Sequence, residues 1–132
     1  MGRSQWRSIL IVALRLVITL LFVPAILVKL RSPSAWGHLF TTWGYPAWAP
    51  PVISVIESIG LAALWIPALA TSASAVLMVT TAGATGTWLI HGPRSTAVYP
   101  GMIFVLVALL VWLQRATVRR DSHTQHPASL SK

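Results

Sequence analysis

The chain has 132 residues, 55% of them hydrophobic and only 9% charged, and it contains no cysteine. Soluble domains carry roughly 25% charged residues, so this is a membrane composition, and disulfides, thiolate metal sites and dithiol redox chemistry are excluded. The formal net charge of +8 is no signal for nucleic acid, because most of it sits near the two chain ends, as in flanks that stay in the cytoplasm.

Four apolar stretches, each near the ~20 residues that cross a hydrocarbon core, predict an all-α, integral membrane four-helix bundle. The spans fall at about 9–30, 51–70, 72–90 and 98–113. Residues 1–115 then form one transmembrane domain, and 116–132 a polar, disordered cytoplasmic tail.

Arg3 and Arg7 surround Trp6 at the start of the chain. A signal peptide would also begin this way, but the apolar run that follows is too long, contains Arg15 and lacks a small-residue cleavage site. The first span is therefore read as uncleaved. Pro24 removes one helix hydrogen bond inside it and predicts a kink. Arg15, Phe22 and Lys29 lie seven residues apart and share one face, with the two charges separated by roughly 21 Å along the axis. Snorkelling to opposite interfaces is the plain reading of those charges. For Arg15, two turns deep, a role facing the bundle is favoured.

From Arg31 to Ala49 the chain reads as a loop crowded with Trp36, Phe40, Trp43, Tyr45 and Trp48 among prolines and glycines. Such a segment is either an interfacial aromatic belt or a lid over a cavity between helices. His38 is weak evidence for either. The second span places Ser54, Glu57, Gly60, Leu61 and Leu64 on one face. Glu57 is one of only two acidic residues in the chain. An ionisable side chain inside an apolar span is expensive to bury, which makes Glu57 the leading functional candidate.

The third span is rich in small residues, with Ala82 to Gly86 reading A-G-A-T-G, and suits close helix packing. Thr80, Gly83 or Ala84, Thr87 and His91 form a polar stripe along it, explained either by packing alone or by a site. The fourth span is uniformly apolar, with Pro100 in its first turn, Trp112 near its end and nothing that suggests chemistry. Arg115, Arg119 and Arg120 stop it. His123 and His126 in the tail make a poor metal site, and no metal is assigned.

Basic residues near the two chain ends (Arg3, Arg7, Arg115, Arg119, Arg120 and Lys132) outnumber Lys29, Arg31 and Arg94 on the other side, so both termini are expected in the cytoplasm. Lys29, Glu57 and His91 then meet at the opposite side beneath the aromatic segment, and Arg15 lies in the other half. A Lys29–Glu57 pair has two readings: a register-fixing ion pair of little net stability, or a polar pocket for a proton, a quinol or a lipid headgroup.

The Arg15-to-Lys29 first span, Phe40-Thr-Thr-Trp-Gly-Tyr-Pro46, Glu57-Ser-Ile-Gly60 with Leu64 following, and the span-three end at His91 together resemble the DoxX-like family of small four-span membrane proteins. The resemblance covers about residues 9–113. It implies an accessory or quinone-interacting membrane subunit of an oxidoreductase system, with Glu57, Lys29, His91 and Arg15 as binding or proton-handling residues. Trp36, Trp43, Tyr45 and Trp48 are the lid candidates. The chain carries no dinucleotide fingerprint or haem pair, so a bound quinone or a partner's cofactor is implied, and no self-contained catalytic motif is read. A small proton-coupled transporter of lipophilic solutes and a purely structural scaffold subunit are the alternatives. The expected setting is a multi-pass protein of a bacterial plasma membrane, in contact with the bilayer and with an oxidoreductase partner, open to homo-oligomerisation and with no nucleic-acid role.

Overall fold

A computed structural model describes the backbone of residues 2–124 and the side chains of residues 2–120. The described chain is all-helical: α1 spans Arg3–Arg31, α2 Pro33–Thr42, α3 Ala49–Ala63, α4 Ala70–His91 and α5 Arg94–Thr124. Three of these, α1, α4 and α5, are long and apolar enough to cross a membrane, and α3 is a shorter apolar helix. Around the bundle each helix packs on two neighbours: α1 on α3, α3 on α4, α4 on α5, and α5 back on α1, with the α4–α5 contact the most extensive. The small helix α2 packs on α3 and α1.

Two boundaries differ from the sequence expectation. Residues 33–42 are not a loop but a helix. Pro33 occupies its first turn, where a missing N–H costs nothing and a fixed φ favours helix. Gly44 ends the excursion with φ of +84°, a conformation that glycine adopts without steric cost. The Tyr45 N–H then donates back to the Phe40 carbonyl at 2.9 Å. Gly37 lets this helix lie against the following turn, since a Cβ there would stand 3.1 Å from the Ala47 carbonyl oxygen.

The second span is also shorter than expected. Helix α3 ends at Ala63, and residues 64–69 form turns closed by bonds such as Trp65 N–H to the Ala62 carbonyl at 3.2 Å. Pro67 supplies the reason, because its ring drives the preceding residue out of the helical region. Fifteen residues reach about 22 Å at 1.5 Å per residue, short of the ~30 Å hydrocarbon core. At the other end of the chain, α5 begins at Arg94, which puts Pro100 inside the helix rather than in its first turn. The same helix continues through 116–124, the first part of the predicted tail. His126 lies outside the described residues, and His123 outside those with described side chains.

The packed core gathers Ile18, Leu64, Leu77, Val107 and Leu110, all fully buried. In lipid such contacts hold helices by close packing rather than by escape from water. Gly60 of α3 packs closely on Leu77 of α4, since an added Cβ would lie 3.1 Å from Leu77 Cδ2. The face read from α3 is the buried one: Ser54, Glu57, Gly60, Leu61 and Leu64. Ser74 on α4 donates to Gln114 Oε1 on α5 at 3.1 Å, tying those helices where α4 begins.

Candidate functional site

Away from the Gly60–Leu77 contact the helices line a half-open cavity of about 770 Å³, within the range of small-molecule sites. Every element contributes to its wall. Phe22, Pro24, Ala25, Val28 and Lys29 come from α1, Trp36 and Phe40 from α2, and Trp43 and Tyr45 from the turn after it. Helix α3 gives Ala49, Pro50, Ile53 and Glu57, while α4 gives Thr80, Thr81, Gly83, Ala84, Thr87 and Trp88. Thr96, Tyr99, Pro100 and Ile103 close it from α5. The lining is mostly apolar and aromatic, with its charge confined to one pair.

That pair is Lys29 and Glu57. Lys29 Nζ donates to Glu57 Oε2 at 2.6 Å, and both side chains are largely withdrawn from the surface. A charge-assisted bond of this length is among the stronger hydrogen bonds, and in a low-dielectric setting each partner makes burial of the other tolerable. Helix periodicity delivers both groups: Lys29 lies one heptad after the buried Phe22, and Glu57 one turn before Gly60. The α1–α3 packing then joins them across 28 positions of sequence.

The aromatic segment forms the roof. Trp43 meets Trp88 edge-on with ring centres 5.0 Å apart, Trp36 meets the same indole at 6.4 Å, and Phe40 contacts both Trp43 and Tyr45 at 5.8 Å. Pairs at these separations add to what area burial alone supplies. His91 stacks on Trp43 at 5.8 Å with ring planes 16° apart and meets the edge of Tyr45 at 5.9 Å. It is exposed and stands behind the roof rather than in the cavity wall. Trp48 is 64% exposed and also outside the wall. Arg15 is not brought to this site: it lies fourteen positions before Lys29 in α1, and its Nε is buried with no hydrogen-bond partner.

Among the wall residues that the sequence reading did not name are Trp88 and Tyr99. Trp88 stands one turn before His91 on the polar stripe, and that spacing was its signal. The Tyr99 hydroxyl donates to the backbone carbonyl of Leu21, three residues before Pro24. Neither the reach from α5 to α1 nor the carbonyl it meets is written in local sequence.

Residues 13–111 match the DoxX-like family, well over half of the chain and all of the cavity wall. The chain belongs to the DoxX-like family. No curated protein matches it, and no solved structure does. With three long apolar helices, this DoxX-like chain is a membrane protein.

Proposed function

We propose that this DoxX-like protein is a quinone-interacting accessory subunit of a membrane oxidoreductase system, and that the cavity is where the quinone binds. The observation that carries this reading is an ion pair set into a wall that is otherwise almost entirely apolar and aromatic. Such a wall accepts a flat, lipophilic ring, and a few placed polar groups fix its orientation. Lys29 is the donor that a quinone oxygen needs, Glu57 is a group able to hold a proton beside it, and Trp36, Trp43 and Tyr45 cover the ring. A quinone supplies two-electron redox chemistry when bound, and the electrons come from the redox centre of a partner protein.

The proposal places the chain as a multi-pass protein of a bacterial plasma membrane with both termini cytoplasmic, supported by the basic residues at both chain ends. The direct test is gentle purification from the native membrane, followed by mass spectrometry of co-purifying proteins, lipids and quinones. A stoichiometric quinone together with an oxidoreductase is the expected result. A lone protein carrying only bulk lipid would sink the reading.

A second reading rests on Glu57 itself, a carboxylate in the wall of a membrane cavity. As a proton-coupled transporter of lipophilic solutes, the chain would drive pH-dependent efflux in vesicles without a partner, and Glu57→Gln would abolish it.

A further inference from the structure

Arg15 carries a charge that the fold does not answer. A guanidinium keeps its proton in a protein, and one set inside a membrane span needs an anion or acceptors close by. The side chain is half-buried. Its Nε is shut away without a hydrogen-bond partner, while Nη1 and Nη2 stay accessible and also make no hydrogen bond or ion pair among the described residues. The only acidic side chain among those residues is Glu57, and it is bonded to Lys29 at 2.6 Å.

Two hydrogen bonds one helical turn away fix what stands beside Arg15. Thr19 Oγ1 donates to the Arg15 carbonyl at 2.7 Å and accepts from Trp65 Nε1 at 3.1 Å. Arg15 and Thr19, four residues apart, share a face of α1, so Arg15 lies on the side where the turn after α3 meets α1. Helix side chains lean toward the N-terminus, which carries the guanidinium past Trp65 toward the start of α1. There α3 has already stopped, and α1 and α4, which flank it, do not pack on each other. The turn that follows α3 leaves Trp65, Ile66 and Leu69 exposed. A cation without a counter-ion thus stands beside an exposed apolar turn.

We propose that this is a binding site for one anionic phospholipid of the leaflet that meets the start of α1. Its phosphate accepts from the Arg15 guanidinium, and an acyl chain lies along Trp65, Ile66 and Leu69. Phosphate oxygens match the planar fork of arginine, and the apolar turn suits a lipid where a free phosphate ion would have no use for it. The short α3 helps, because a bilayer thins beside a span shorter than its core and so brings phosphates closer to Arg15. The inference is independent of what fills the cavity.

The test uses the full chain in neutral detergent, titrated with phosphatidylglycerol, with phosphatidylcholine of the same acyl chains, or with inorganic phosphate. Native mass spectrometry counts bound lipid, and thermal unfolding reads stability. One phosphatidylglycerol should be retained per chain and should raise the unfolding temperature, with phosphatidylcholine bound about tenfold more weakly and inorganic phosphate without effect. Arg15→Gln should weaken phosphatidylglycerol by about tenfold, whereas Arg3→Gln, which removes the same charge, should change it by less than about threefold. Without lipid, Arg15→Gln should unfold at the parent's temperature. Equal affinity for the two lipids, or an unaltered preference in Arg15→Gln, overturns the proposal. Stabilisation by inorganic phosphate equal to that by phosphatidylglycerol overturns the lipid as ligand. A loss of stability in lipid-free Arg15→Gln that Asp121→Asn reproduces would place the counter-ion within the chain and overturn it as well.

Discussion

The two ends of the bundle use the same four helices to opposite effect. Around Gly60 and Leu77 the helices close, and Ile18, Leu64, Val107 and Leu110 are fully buried between them. Beyond that contact they open around a cavity roofed by α2 and the Trp43–Tyr45 turn. At the closed end a hydrogen bond joins Ser74 to Gln114 across α4 and α5, while Gln114 Nε2 is buried without a partner. The open end keeps an ion pair in its wall. What separates the ends is side-chain size: glycine faces leucine at one, and tryptophans stand edge to face at the other.

The largest expected effect is at the open end. Lys29→Met leaves Glu57 buried without its partner and should destabilise the protein by about 3–5 kcal/mol, read as a drop in thermal unfolding temperature in detergent. Replacing both, Lys29→Met with Glu57→Leu, should recover stability to within about 1 kcal/mol of the parent. If the double replacement is as damaging as the single one, the pair is more than a mutual neutralisation.

At the closed end, Gly60→Val thrusts two methyl groups toward Leu77 and should cost about 1–3 kcal/mol by overpacking, with the cavity ligand still bound. Loss of binding at unchanged stability would show that the two ends are coupled and would break the comparison. Tyr99→Phe removes a side-chain bond from α5 to the α1 backbone and should cost about 1 kcal/mol, measured by the same unfolding assay. Smallest of all, Trp48→Ala should change stability by no more than about 0.5 kcal/mol. It should also leave ligand affinity unchanged, in contrast to Trp43→Ala, which opens the roof.

Much of this architecture was legible in the residues. The buried face of α3 followed from three-and-four spacing, and the proximity of Lys29 and Glu57 followed from placing the spans in alternating directions. The α2 helix was not legible, because five aromatic residues among prolines and glycines obscure a ten-residue helix whose start depends on Pro33 and whose end depends on Gly44. The early end of α3 was written in Pro67, but the apolar run through Trp65 and Ile66 masked it. Cavity wall residues on α5 were missed for a different reason: an apolar stretch carries no mark of which side it turns toward a void. Trp48 shows the converse, since composition alone cannot separate an aromatic ring that roofs a cavity from one that faces outward.

Gly92 holds the roof by what it lacks. A Cβ built there would fall 2.3 Å from Cε3 of the Trp88 indole and 2.8 Å from Cζ3, well inside any allowed contact. The indole rests against bare backbone, and in that position it meets Trp36 and Trp43. Position 92 is thus a handle on the chamber that no ligand needs to touch. Alanine there displaces the indole, and bulkier residues displace it further, so a graded series at this one site would resize the chamber from outside while the ion pair stays in place.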